Sequence, residues 1–174
     1  MNKLFIVRHG ETDWNVKKLL QGKTDVKLNE NGIKQAEELI DKLDFNNIDI
    51  VISSPLKRAK QTATIIVSNR LDIKYDDLLI ERGFGNYEGK PIEFDLIGKQ
   101  WDYRLNDSEN EIESIQDCLK RAQQFIDKIN KEYKDKNILI VSHGGFIKAL
   151  HFCLEGYNEN TDFLSFNPKN AVVY

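Results

Sequence analysis

Residues 137–145 read Asn137-Ile138-Leu139-Ile140-Val141-Ser142-His143-Gly144-Gly145. The aliphatic run from Ile138 to Val141 has no polar residue in alternation, which marks a strand covered on both faces. The glycine pair ends it and opens a helical pattern that continues through Leu154. The unit is therefore strand, turn, helix, with His143 at the turn. The N-terminus repeats the arrangement: Leu4-Phe5-Ile6-Val7 is a second buried run, and Arg8-His9-Gly10 follows it. A third, Asp49-Ile50-Val51-Ile52-Ser53, leads into Ser54-Pro55, a capping residue followed by proline at the first helical position.

Helical periodicity fills the intervals. Ile33, Ala36, Leu39, Ile40 and Leu43 predict a helix over about 30–43 with Asn29 as its N-cap. Ala59, Thr62, Ala63, Ile66 and Val67 predict one from Pro55 to about Asn69. Asn110-Glu111-Ile112-Glu113 has the form of a capping box at the head of a long helix ending near Tyr133. A short strand is expected over Ile73–Tyr75, loops and short helices over 76–110, and an edge strand at the chain end near Tyr174. Buried strands alternating with helices give an α/β fold with a mostly parallel sheet.

The chain has 174 residues, 40% hydrophobic and 30% charged, which suits one domain, 1–174, with a sizeable core. The net charge of −3 gives no basic footprint for nucleic acid. No apolar stretch reaches membrane-spanning length, and the N-terminal run is too short for a signal peptide, so a cytoplasmic protein is expected. Cys118 and Cys153 fall within apolar helical patterns and read as inert thiols. With only three histidines, their spacing offers no evident structural zinc site, and no metal or other cofactor is expected.

Two of those histidines, His9 and His143, end apolar strands and precede glycine. Ligands in open α/β sheets bind beyond the carboxyl ends of strands, so both imidazoles belong on the functional rim. Only six of the 25 basic residues are arginine, yet Arg8 precedes His9 and Arg58 opens the helix after the second strand. Either arginine alone would read as a surface ion pair. Together with the histidines they suit a tetrahedral dianion, which a guanidinium grips through paired hydrogen bonds. The helix start at Ser54-Pro55 is expected to add free N–H groups. His151 reads as a packed or exposed helix residue, and the lysines at 17, 18, 131, 134 and 136 as a solvated surface. Phe84, Tyr87, Trp101 and Tyr103 suit either a pocket wall or a small core.

Four blocks carry a resemblance: Arg8-His9-Gly10-Glu11-Thr12, Ser53-Ser54-Pro55-Leu56-Lys57-Arg58-Ala59, Glu81-Arg82-Gly83-Phe84-Gly85 and Ser142-His143-Gly144-Gly145. In this order the sequence resembles the histidine phosphatase superfamily, the phosphoglycerate mutase-like family. Weaker echoes are Trp14-Asn15, Gln35-Ala36, Gln61-Thr62-Ala63, Glu88-Gly89 and Glu113-Ser114 with Arg121. The resemblance implies a three-layer α/β/α fold and a phosphomonoesterase acting on a small phosphorylated metabolite. It makes His9 the nucleophile that becomes phosphohistidine. Arg8, Arg58, His143, Asn15 and Gly144 would hold phosphoryl oxygens, and Glu81 would protonate the leaving oxygen and then activate water. A neutral imidazole nitrogen is a competent nucleophile near pH 7.

The family also contains cofactor-dependent mutases, which typically carry a longer insertion and more basic residues in the lid. Here only 31 residues lie between Glu81 and Glu113, and residues 91–110 carry just Lys99 and Arg104 as positive groups. Phe84 stands where mutases usually have tyrosine. Hydrolysis is therefore expected, with residues 82–110 as the lid or substrate segment. A phosphoglycerate mutase and a non-catalytic phospho-ligand module are the alternatives. The segment Asn106-Asp107-Ser108-Glu109-Asn110-Glu111-Ile112 replaces the family's usual proline–glycine approach to the Glu-Ser pair, which bears on substrate choice. Relatives commonly continue beyond the position of Tyr174, which bears on the sheet margin and on whether the protein is a monomer or a homodimer.

Overall fold

The computed structural model describes residues 1–93, 100–105 and 110–174. Its sheet is built outward from β4 (Asn137–Ser142), which lies between β1 (Lys3–Arg8) and β2 (Ile50–Ser53), with β3 (Ile73–Tyr75) outside β2. All of these pairings are parallel. Ile138, Leu139, Ile140 and Val141 are fully buried. At about 1.5–3 kcal/mol for each buried aliphatic side chain, this central strand is a main source of stability.

The alternation of side chains along the strands sorts the core into two halves. Ile6, Ile52, Ile138 and Ile140 point to one face, against Leu119, Phe125 and Ile126 of α4 (Ile115–Glu132) and Phe146 and Leu150 of α5 (Gly144–Glu155). Val7, Val51, Leu139 and Val141 point to the other, against Leu39 of α2 (Glu30–Ile40) and Ala59, Ala63 and Ile66 of α3 (Lys57–Val67). The result is the three-layer α/β/α arrangement with a parallel central sheet. A short α1 (Asp13–Val16) follows the first strand, with Thr12 and Asn15 forming its capping box.

Several element ends differ from the sequence expectations. Asn29 does cap α2, accepting from Gly32 N at 2.8 Å, but the helix stops at Ile40 and Leu43 buries from the following turn. The start of α3 falls at Lys57 instead of Pro55. Ser54 is engaged with His143, and Asp25 Oδ1 accepts from Lys57 N at 2.6 Å. The N–H of Lys57, the first of α3, is thus used within the protein. The long helix α4 begins at Ile115, capped by Ser114, whose Oγ accepts from Asp117 N at 3.0 Å. Glu113 is withdrawn from the expected capping box because its carboxylate pairs with Arg121. The expected edge strand is a single antiparallel bridge between Val7 and Val173, and positive φ at Ala171 turns the chain out of extended conformation beside it. In the expected lid, Lys99 and residues 106–109 lie outside the described residues.

Cys118 and Cys153 are free thiols, and burial pushes Cys118 up to about 12. His151 stacks on Phe166 with ring centroids 4.0 Å apart, a packing role. The lysines at 17, 18, 131, 134 and 136 are exposed. Among the described residues no helix is long and apolar enough to cross a membrane.

Candidate active site

The register of β1 on β4 pairs Arg8 with Ser142, so the next residues along, His9 and His143, leave the sheet side by side. Their ring centroids are 5.2 Å apart, and both residues are buried. His9 Nδ1 lies 2.7 Å from its neighbour's carbonyl, Gly10 O. A carbonyl oxygen can only accept, so Nδ1 carries the proton and Nε2 keeps its lone pair. Burial, then Arg58 and Arg8, hold the His9 imidazole well below its usual range, against a smaller opposing effect of the Gly10 bond. His9 is therefore a neutral imidazole with Nε2 as its free nucleophilic atom.

Arg58 is fully buried and oriented by backbone carbonyls: Nη1 donates to Thr24 O at 2.8 Å and Nη2 to Gly22 O at 2.7 Å. The loop carrying those carbonyls is clamped in turn by Glu88. Its carboxylate accepts from Lys23 N and Thr24 N at 2.9 Å each, and from Thr24 Oγ1 and Phe84 N. Gly22 has φ of +51°, and a Cβ there would overlap the Glu88 carboxylate, so both backbone and space call for glycine. Arg8 donates from Nη1 to Pro168 O at 2.7 Å. Burial lowers both guanidiniums, Arg58 to about 10, which leaves each charged at neutral pH.

Arg8 Nε, Arg58 Nε and His143 Nδ1 are buried without a hydrogen-bond partner among the described residues. Buried unpaired donors are rare and costly, and on two cations beside a cavity they suit an anionic ligand. The other nitrogen of His143, Nε2, lies 2.7 Å from Ser54 Oγ. Burial first, then Arg58, His9 and Arg8, keep His143 neutral too.

Glu81 sits at the positive end of α5. Oε1 accepts from Arg82 N at 2.8 Å and Phe146 N at 2.9 Å, and Oε2 from Gly145 N at 3.0 Å. Below it, Arg121 spends its guanidinium on Leu78 O, Ile80 O and a two-point pair with Glu113. Thr62 Oγ1 accepts from Gly10 N at 3.0 Å, and Gln35 Oε1 from Glu11 N at 2.9 Å, which fixes the turn after His9.

A cavity of about 550 Å³ opens over this constellation. Of the residues expected at the site, Arg8, His9, Asn15, Arg58, Glu81 and Gly144 line it, and the His143 ring lies beside His9. Asn15 turns Oδ1 toward Thr12 N at 3.0 Å. Phe84 and Trp101 also line the cavity, whereas Tyr103 stacks on Phe163 and Tyr87 packs in the small cluster of Leu20, Phe84 and Ile112. Sequence reasoning missed Gln21, Leu164, Asn167 and Lys148. Lys148 had a signal, since it lies four residues after Gly144 and so on the same helical face. The other three come from irregular loops with no period to read. Among the described residues no group of three or more His, Cys, Asp or Glu is placed to hold a metal ion.

A parallel sheet that delivers a neutral imidazole to a cavity lined by two arginines suits a protein of the phosphoryl-handling class. Sequence comparison makes that specific: residues 4–174 match the family model of the histidine phosphatase superfamily, branch 1, and the chain belongs to that superfamily. It is a phosphoric monoester hydrolase. The Bacillus subtilis phosphatase PhoE is 40% identical over 151 residues, covering 86% of this chain and 76% of that protein. A 2,3-bisphosphoglycerate-dependent phosphoglycerate mutase of Cytophaga hutchinsonii is 35% identical, covering 87% of this chain and 76% of the mutase. The crystal structure of phosphoserine phosphatase from Entamoeba histolytica in complex with 3-phosphoglyceric acid superposes with a TM-score of 0.83 at 31% identity, covering 99% of this chain and 89% of that one.

Proposed function

We propose that this enzyme hydrolyses a small phosphorylated metabolite without a metal, through a phosphohistidine on His9. The observation that carries the reading is the bond from His9 Nδ1 to Gly10 O, which frees Nε2 at the cavity. Nε2 attacks phosphorus and the bond to the ester oxygen breaks. Glu81 supplies the proton that leaves with that oxygen. It then takes a proton from water as the water attacks the phosphohistidine, releasing phosphate and restoring His9. Oε2 of Glu81, with one N–H partner against two on Oε1, is the better placed oxygen for this traffic. Arg8, Arg58, His143, Asn15 and the Gly144 backbone hold the three phosphoryl oxygens, where charge accumulates in the transition state.

In this reading residues 1–174 act as one catalytic unit, with the segment of about 82–110 contributing Phe84, Ile92 and Trp101 to the substrate wall. The enzyme works in the cytoplasm as a monomer or homodimer, with no nucleic-acid or membrane partner.

The test is turnover of p-nitrophenyl phosphate in EDTA, together with acid-quench trapping of labelled protein. Wild type is expected to turn over and to trap label on His9, and His9→Ala to lose essentially all activity. A fully active His9→Ala protein, or complete dependence on added metal, refutes the mechanism. Isomerisation of 3-phosphoglycerate with catalytic bisphosphoglycerate, faster than phosphate release, would make the chain a mutase instead. Phosphate binding with no turnover on a broad metabolite panel would make it a binding module.

A further inference from the structure

Lys148 is a lysine where lysines are rarely found. It is 4% exposed and lines the cavity beside Arg8, Glu81 and Trp101. Its ammonium stands 4.3 Å from the centroid of the Trp101 ring, which the Arg82 guanidinium also approaches at 4.6 Å. Among the described residues no carboxylate forms an ion pair with it. Glu81 and Asp162 favour its charge through space, but the Glu81 oxygens are taken by backbone N–H groups. Burial pushes Lys148 down to about 8, which leaves most of it charged at neutral pH. Among the described residues the ammonium rests on the Trp101 face with no paired anion, so its charge is under-compensated.

The geometry points to Lys148 as a specificity-determining residue that binds a second anionic group of the substrate, a carboxylate, so that the enzyme prefers small phosphorylated acids. This rests on the phosphatase reading of the same site. The second group is read as a carboxylate because it carries the single negative charge that one ammonium compensates, while the arginines take the phosphoryl group. Arg8 and Arg58 already supply the planar forks that suit the phosphoryl group. The walls nearby, Trp101, Ile92 and Leu164, are mainly apolar, so a neutral hydroxyl would leave the charge uncompensated. The spacing fits a short carbon skeleton. A Cβ on Gly144 would lie 3.2 Å from the Arg8 guanidinium carbon, which puts that residue against the phosphate-binding arginine. Lys148 follows four residues later, roughly 6 Å along the helix axis.

The experiment compares O-phosphoserine with O-phosphoethanolamine, which differ only in the carboxylate, in wild type, Lys148→Met and Lys148→Arg. The readout is the ratio of the two kcat/KM values, which is independent of the fraction of folded enzyme. Wild type is expected to favour phosphoserine by about 10- to 100-fold, mainly through KM, the worth of one charge-assisted hydrogen bond. Lys148→Met should bring the ratio close to unity, and Lys148→Arg should restore much of it. The inference is overturned if wild type shows no preference, or if Lys148→Met keeps it. It is also overturned if Lys148→Met is dead on both substrates, which would assign the lysine to the phosphoryl step or the fold. A wild type that also fails on p-nitrophenyl phosphate brings down the phosphatase reading itself.

Discussion

Replacing Arg121 by methionine isolates the support beneath Glu81. The arginine is 14% exposed at its side chain and its Glu113 partner 12%. Nε and Nη2 meet the two Glu113 oxygens at 2.9 Å each, while Nη1 donates to Leu78 O at 2.8 Å and Ile80 O at 2.7 Å. Methionine keeps most of the apolar stem but strands a buried carboxylate and two carbonyls. Breaking such a pair costs about 3–5 kcal/mol, a large share of the 5–15 kcal/mol typical of a domain. Urea unfolding monitored by circular dichroism measures it. Adding Glu113→Gln removes the stranded charge, so the double variant should recover at least about 1 kcal/mol relative to additivity. Because the carbonyls bonded by Arg121 lead directly into Glu81, kcat should fall in Arg121→Met even when the protein is folded. A loss below about 1 kcal/mol, or strict additivity, would show that this buried pair does not hold the loop.

Glu81→Gln sets an amide N–H against Gly145 N–H and removes the proton carrier. Its kcat should fall roughly 10²–10⁴-fold on alkyl phosphates but much less on p-nitrophenyl phosphate; equal losses on both would rule out a role at the leaving group. Gly22→Ala should cost about 1–3 kcal/mol from the positive φ alone and raise KM by releasing the loop that orients Arg58. An unchanged KM and melting point would refute the clamp. For pH, His9 and His143 are held well below their ordinary value by burial and by the arginines, so the folded protein binds fewer protons than the unfolded chain below about pH 6.5. Stability is therefore undiminished by these groups above that pH and declines on acidification, by up to about 1.4 kcal/mol per pH unit for each histidine. Denaturation midpoints at pH 7 and 5 should separate less in His143→Asn than in wild type, and equal separations would contradict the assignment.

The sequence was most readable where a residue serves one period at a time. The β4 run, the α2 cap at Asn29 and the glycine pair that opens α5 were legible because hydrophobic spacing and local backbone chemistry agree there. The heads of α3 and α4 were misplaced for a shared reason. Ser54 and Glu113 have the side chains of caps, but long-range partners, His143 and Arg121, claim them first. Among the site residues, strand-end position marked His9 and His143, and the scarcity of arginine marked Arg8 and Arg58. Lys148 was obscured by the abundance of lysine, and its one sequence signal was its place a helical turn after Gly144.

The neighbouring of β1 and β4 also has a meaning for synthesis. The two imidazoles come from positions 134 residues apart, and β1 borders a strand synthesised more than a hundred residues after it. A nascent chain carrying everything through α4 would possess His9 but not the strand that shelters it. Enzymatic competence should thus emerge abruptly, once β4 and α5 have left the ribosome, and chains short of them should have no phosphate-cleaving capacity to release prematurely.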